Sequence, residues 1–133
     1  MTIRRLLVAN RGEIARRVFR TAKEMGIFTV AVYSDGDSNA PFVNDADLAV
    51  ALRGTSAADS YLDTEKILEA ATSVGADAIH PGYGFLSENA AFADAVTAAG
   101  LTWIGPPSSA IAAMGDKLAA KRTMTDAEVP TLP

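Results

Sequence analysis

Short apolar runs alternate with segments of helical periodicity along most of the chain. Five runs have the length and the apolar or β-branched content of buried strands, at residues 3–9, 28–33, 48–52, 76–80 and 102–104. Between and after them, apolar residues recur at helical spacing over residues 13–25, 63–74, 87–99 and 109–114. This alternation predicts an α/β fold in which a parallel sheet is covered by helices on both faces, giving three layers.

Capping residues and glycines indicate where the predicted helices begin and end. Gly26 follows the first helix as a C-terminal stop, Asp63 is placed to cap the second, and Ser87 to cap the third. The spacing also places Met25 and Ala99 on the inward faces of the first and third helices.

The composition changes at residues 105–108, where the sequence Gly-Pro-Pro-Ser interrupts the chain. The segments that follow, at 109–114 and from 116 to about 127, have the pattern of the first helices of another unit. We therefore expect one domain over residues 1–113 and the start of a second domain over residues 114–133.

Composition narrows the classes of function. The net charge of −4 argues against a broad nucleic-acid or anionic-membrane surface, and the apolar run at residues 6–9 is too short for a signal peptide or a membrane span. The chain has no cysteine, which excludes disulfides and suits a cytoplasmic protein. With His80 as the one histidine, an all-histidine metal site is excluded and acid–base or nucleophilic catalysis has few candidates.

The junction between the first strand and the first helix admits two interpretations. Ligands bind open α/β sheets at such carboxyl ends of strands, and Asp35 ends the second strand where a ribose-binding acid would lie. A dinucleotide fingerprint needs three glycines, however, and only Gly12 is present. The other interpretation, which we favour, is a structural turn in which Asn10 bonds backbone groups and Gly12 takes an unusual dihedral angle.

Three further sets of residues are candidates for function. Arg17, Arg20 and Glu24 share one face of the first helix, which is either solvated or paired in a dimer. In the loop after the fourth strand, glycines allow close approach of a partner and Tyr83 offers a flat ring with a hydroxyl; alternatively its aromatic residues fill the core. Lys117, in the first turn of a predicted helix, opposes the helix dipole, so it is either solvated or paired with a phosphate or carboxylate.

Four stretches of this sequence resemble biotin carboxylase, in the same order along the chain: LLVANRGEIARRV at 6–18, HPGYGFLSENAAFA at 80–93, WIGP at 103–106 and MGDKLAAKR at 114–122. The resemblance implies the Rossmann-like domain that precedes an ATP-grasp module. It also implies a reaction of acyl-CoA carboxylases and related enzymes. In that reaction ATP and bicarbonate give carboxyphosphate, whose CO₂ passes to biotin on a carrier protein with the help of Mg²⁺ or Mn²⁺.

The resemblance assigns roles to individual residues. It implies that Lys117 binds ATP, that Tyr83 and Gly84 belong to the loop beside the biotin pocket, and that the first helix forms a homodimer interface. The implied partners are a biotin carboxyl carrier domain and a carboxyltransferase subunit.

The family's glycine-rich ATP lid, metal-binding glutamates and catalytic arginine would lie beyond Pro133. We therefore expect neither catalytic residues nor metal ligands within the chain, and no turnover by the chain alone. Two other functions stay open at this point. One is a non-catalytic structural or dimerisation domain, and the other is a stand-alone nucleotide-binding module.

Overall fold

The structure of the protein is a computed structural model, which describes residues 2–115. Its centre is a five-stranded sheet whose strands are β1 (Arg5–Val8), β2 (Phe28–Tyr33), β3 (Leu48–Ala51), β4 (Ala78–His80) and β5 (Thr102–Trp103). The strand order is β3-β2-β1-β4-β5, and every neighbouring pair is parallel. The five predicted strands are confirmed, although all except β2 are shorter than the apolar runs that predicted them.

Helices cover both faces of this sheet. They are α1 (Gly12–Glu24), α2 (Pro41–Asp45), α3 (Thr64–Ser73) and α4 (Ala90–Ala98), and residues 108–115 are helical as well. Alternate residues of β1 belong to two separate cores, because successive side chains of a strand point to opposite faces. Leu6 and Val8 pack in the core that includes residues of α1 and α2, and Leu7 packs in the core that includes residues of α3 and α4. The predicted three-layer α/β fold is confirmed.

Several predicted helix ends need correction. Ser87 is not the cap of α4, because residues Phe85–Glu88 form a 3₁₀ turn and the side chain of Asn89 accepts the cap hydrogen bond from the Phe92 amide at 2.9 Å. Met25 and Ala99 are exposed rather than inward. Each is the residue just after its helix, where the chain turns away through a glycine of positive φ.

Helix α2 was not predicted, since the sequence before it reads as continuous turn. Pro41 supplies the fixed φ that suits the first position of a helix. The next residue, Phe42, is buried in the same core as α1. By contrast, the Asp63 cap is confirmed, because its carboxylate accepts from the Lys66 amide at 3.1 Å.

Since all strands are parallel, their carboxyl ends lie at one edge of the sheet, which we call the carboxyl edge. The strand order reverses direction between β1 and β4, and such a switch point is where open α/β sheets bind ligands. Asn10 follows β1 at this point and Pro81 follows β4. The fold thus brings together two of the segments singled out in the sequence.

Candidate functional site

Asn10 joins the two segments at the switch point. Its side chain is almost fully buried, and its Nδ2 donates to the carbonyl oxygens of Pro81 at 2.9 Å and of Tyr83 at 2.6 Å. Its Oδ1 accepts from the Arg11 amide at 2.8 Å. Gly12 has a φ of +64°, so the interpretation as a structural turn is confirmed. Asn10 holds the backbone of the loop formed by residues 81–84, which we call the Tyr83 loop.

Gly82 makes this contact possible. A Cβ atom at Gly82 would lie 2.5 Å from Nδ2 of Asn10, closer than real Cβ atoms approach a neighbour, and the residue's φ is +67°. Its amide donates to Nδ1 of His80 at 3.0 Å, and burial lowers the pKa of His80, which favours the neutral imidazole that can accept this bond. Position 82 therefore requires glycine for two reasons, the close contact with Asn10 and the positive φ.

The Tyr83 loop directs its aromatic residues in different ways. Tyr83 is 78% exposed, whereas the Phe85 ring lies 5.2 Å from the buried Tyr61 ring, centroid to centroid. Apart from its two chain neighbours, no atom of residues 2–115 lies within 4 Å of a Cβ placed at Gly84. The alternative in which both aromatic residues fill the core is therefore wrong for Tyr83 and right for Phe85. The Tyr83 ring is therefore accessible beside open space, and the side chain of Asn10 bonds the backbone that carries it.

A second network lies beside this loop. Arg11 binds Asp37 through two contacts of 2.6 Å, Nε to Oδ2 and Nη2 to Oδ1, and the hydroxyl of Tyr61 donates to Oδ2 of Asp37 at 2.5 Å. The Tyr61 oxygen also accepts from the Ser34 amide at 3.1 Å. Hydrogen bonding from Arg11 lowers the pKa of Asp37, while burial, followed by the hydrogen bond to Asp37, raises the pKa of Tyr61. Asp37 is thus a stable anion that links the segments after β1 and β2.

The stand-alone nucleotide module loses support from this geometry. Asp35, the proposed ribose-binding acid, accepts through Oδ2 from the Gly54 amide at 3.2 Å. Arg11 is committed to Asp37, and Asn10 is committed to the Tyr83 loop. The residues that would have held a nucleotide are instead bonded to other parts of the chain.

The predicted dimer face lies on α1, apart from the Tyr83 loop. Arg17, Arg20 and Glu24 are all exposed on α1. Arg20 and Lys23 line a shallow cleft of about 240 Å³ that also includes Asp45. Lys117 lies outside the described residues.

Asp37 and Tyr61 were missed from the sequence. Asp37 sits among turn residues in the sequence SDGDSN, and Tyr61 lies in an irregular segment without periodicity. Their partner Arg11 precedes Asp37 by 26 residues. The one available signal was the tyrosine itself, because a large aromatic residue with a polar hydroxyl in a loop commonly buries its ring and bonds its hydroxyl.

Clusters of metal-ligating side chains and membrane-spanning helices were sought in the described part of the chain. Within residues 2–115, no group of three or more histidine, cysteine, aspartate or glutamate side chains is placed to hold a metal ion. In the same residues, no helix has the length and apolar character needed to cross a membrane.

A parallel sheet of order 3-2-1-4-5 with a glycine-rich loop at its switch point defines a Rossmann-like α/β domain. A family model described as the N-terminal domain of biotin carboxylase matches residues 2–111. The chain belongs to this family.

Named relatives agree with that assignment. The chain is 59% identical over 131 residues to the mitochondrial methylcrotonoyl-CoA carboxylase subunit alpha of Oryza sativa subsp. japonica, covering 98% of the chain and 18% of that relative. The urea carboxylase of Kluyveromyces lactis superposes with a TM-score of 0.87 at 50% identity, covering 98% of the chain and 12% of that structure. A biotin carboxylase domain of a thermophilic 2-oxoglutarate carboxylase, bound to bicarbonate, superposes with a TM-score of 0.85 at 50% identity, covering 100% of the chain and 30% of that structure. The chain spans about a fifth of the length of the curated carboxylase alpha subunits it matches.

Proposed function

We propose that the chain forms the N-terminal domain of the biotin carboxylase component of a biotin-dependent acyl-CoA carboxylase. The complete enzyme uses ATP and bicarbonate to carboxylate biotin on a carrier protein. The observation that carries this proposal is the family match over residues 2–111 together with the presentation of Tyr83 at the switch point. The relatives' names include methylcrotonoyl-CoA, urea and 2-oxoglutarate carboxylases, so this domain by itself does not select the final acceptor.

In this proposal Tyr83 and Gly84 form one wall of the biotin pocket. Biotin carries a nearly planar ureido ring fused to a saturated sulfur ring, and the exposed ring of Tyr83 beside the open space at Gly84 fits the face of such a group. When bound, biotin supplies the nitrogen atom that receives the carboxyl group. The Tyr83 side chain would orient the ring of biotin and shield one side of it from water.

ATP and the metal ion belong to the second domain that we propose to start at residue 114. Lys117 would neutralise phosphate oxygens of ATP as a point charge. The Mg²⁺ or Mn²⁺ ligands and the catalytic residues would lie in the ATP-grasp module that follows, so we propose that residues 1–133 do not hydrolyse ATP alone.

We propose a homodimer in which the exposed face of α1 meets its partner through Arg17, Arg20 and Glu24. The carrier domain and the carboxyltransferase subunit would be the other partners. We also place the protein in the cytoplasm, for which the cysteine-free composition is the support.

The test is biotin-dependent ATP hydrolysis by the complete carboxylase that carries this domain. We expect Tyr83→Ala to raise the KM for free biotin about tenfold or more, since a stacked ring and its burial are worth roughly 1.5 kcal/mol. ATP hydrolysis without biotin should stay unchanged. Met25→Ala, which removes an exposed side chain just before β2 at the opposite edge, is the control. An enzyme whose ATP hydrolysis does not respond to biotin would contradict the proposed function.

A further inference from the structure

The placement of Tyr83 depends on its backbone more than on its side chain. With 78% of its surface exposed, the Tyr83 side chain has little packing of its own to fix it. The residues on either side, Gly82 and Gly84, both have positive φ, and glycine suffers the largest loss of backbone freedom when it is ordered. Something outside the loop must therefore select one backbone conformation if Tyr83 is to present its ring in one position.

Asn10 has the chemistry to make that selection. A side-chain amide has two N–H donors, and Asn10 directs them to two carbonyl oxygens of the same loop, those of Pro81 and Tyr83. The loop lies 71 to 73 residues further along the chain, so these bonds are tertiary and not part of a local turn. The Asn10 oxygen is occupied by the Arg11 amide, which fixes the orientation of the side chain.

No other side chain of similar size can replace this amide. An aspartate has the same shape but has no donor, and it would place its charge against two carbonyl oxygens. A glutamine is one methylene longer, and the space is already filled, because Gly82 tolerates no Cβ against the Asn10 side chain. Asparagine is therefore specified at position 10 by two requirements. The site needs two N–H donors for the carbonyls of the Tyr83 loop, and it has no room for a longer side chain beside Gly82.

We propose that Asn10 is the positioning residue for Tyr83: by holding the carbonyl oxygens of Pro81 and Tyr83, it fixes the loop that presents the Tyr83 ring to biotin. This inference rests on the proposed function of Tyr83. Asn10 itself touches no ligand and acts through the backbone of the loop. Asn10 orders the loop before biotin binds. The binding free energy of biotin is therefore not reduced by the entropic cost of ordering the loop.

The test uses the complete carboxylase and four variants: Asn10→Asp, Tyr83→Ala, the double variant, and Asn89→Asp as a matched control. Asn89 uses its side-chain oxygen to cap α4, and aspartate caps a helix equally well. We expect Asn10→Asp to raise the KM for biotin at least tenfold with ATP hydrolysis in the absence of biotin unchanged. Asn89→Asp should leave both unchanged. Hydrogen exchange should accelerate in the peptide that covers residues 80–89 of Asn10→Asp.

The double variant separates positioning from general damage. If Asn10 acts through Tyr83, the double variant is no worse for biotin than Tyr83→Ala, because the two changes remove the same interaction. Additive losses would overturn the inference. So would a normal KM in a folded Asn10→Asp variant while Tyr83→Ala is impaired. A normal KM in Tyr83→Ala would instead contradict the proposed role of Tyr83.

A second substitution covers the case in which Asn10→Asp does not fold. Asn10→Ser introduces no charge and keeps one donor, and we expect a smaller rise in the KM for biotin with faster exchange in the same peptide. Loss of folding in both variants would overturn the proposal, since Asn10 would then be a requirement of the fold and not a positioning residue.

Discussion

Arg11 and Asp37 form a two-pronged ion pair in which both contacts measure 2.6 Å, and the Asp37 side chain is 11% exposed. The pair ties the turn after β1 to the turn after β2. The Tyr61 hydroxyl joins it on the same carboxylate, and the Tyr61 ring supports Phe85 beside the Tyr83 loop. Asn10 and Arg11, adjacent in sequence, therefore hold the loop region by two separate routes.

We predict that Asp37→Asn lowers the free energy of unfolding by about 1–2 kcal/mol, because the amide keeps one acceptor oxygen, turns an N–H donor towards the other donors and loses the negative charge beside the half-exposed Arg11. In the native protein the pKa of Asp37 is lowered, so its stabilisation is present above pH 4 or so and is lost as the pH falls through and below that value. Urea denaturation at pH 7 and at pH 3 measures both effects. The variant should lose less stability than the native protein between those two pH values, and an equal loss would contradict the assignment.

The sequence could predict the sheet because each strand is a buried apolar run, and parallel order follows from the alternation with helices. It could also predict that Asn10 bonds backbone groups, since asparagine does so in turns. It could not predict which backbone groups Asn10 bonds, because the Tyr83 loop lies more than 70 residues away and no local pattern encodes this contact. The network of Arg11, Asp37 and Tyr61 could not be predicted either: Arg11 and Asp37 look like ordinary surface charges in their own segments, and the tyrosine signals a buried ring without indicating its partner.

His80 provides a pH-dependent prediction. Burial lowers its pKa, and its Nδ1 accepts from the Gly82 amide, so the folded state holds the neutral form with the proton on Nε2. The unfolded histidine gains a proton as the pH falls through about 6.5, while the folded one resists protonation to lower pH. Stability should therefore decrease on going from pH 7.5 to pH 5.5, by at most about 1.4 kcal/mol per pH unit.

His80→Asn is the matched variant, because its Oδ1 can accept the same bond without titrating. We expect its free energy of unfolding to be flat over that pH window. The chain has one histidine, so the native slope is assigned to His80 without subtraction of other imidazoles. A variant that keeps the slope would rule out His80 as its source.

Arg20 tests the proposed dimer face. Reversing its charge with Arg20→Glu should shift the complete enzyme from dimer towards monomer in sedimentation at micromolar concentration. A single exposed ion pair contributes about 1 kcal/mol or less, so a clear shift requires Arg20 to be buried in a network at the interface. Arg4→Glu, an exposed charge reversal just before β1, is the control. If both variants sediment as the native enzyme does, Arg20 is not part of a buried network at the dimer interface, which counts against the proposed face.

Lys117 tests the proposed ATP contact. In the complete enzyme, Lys117→Gln keeps most of the side-chain length and removes the charge. A hydrogen bond to a charged group is worth about 1.5–3 kcal/mol, so we expect the KM for ATP to rise roughly ten- to hundredfold with a normal thermal melt. A normal KM for ATP would favour the other interpretation of Lys117, a solvated lysine in the first turn of the predicted helix.

Gly82 and Gly36 can be compared to test the close packing and the strained backbone at the switch point. Gly82→Ala would place its Cβ 2.5 Å from the buried Asn10 amide in a backbone conformation of positive φ, so both sterics and strain oppose it. We expect it to lower the free energy of unfolding by about 2–4 kcal/mol, in the range of overpacked cores with added backbone strain.

Gly36 has an ordinary φ, and a methyl group added there would meet no atom of residues 2–115 within 4 Å beyond its chain neighbours, so Gly36→Ala should be neutral or stabilising by up to about 1 kcal/mol. Thermal melts of the two variants make the comparison. Because alanine has the same entropic effect on the unfolded chain in both, the difference between the variants measures the native cost at residue 82, which combines the contact with Asn10 and the strain of positive φ. Equal melting temperatures would mean that the Tyr83 loop moves aside at little cost, and then Asn10 could not be holding it.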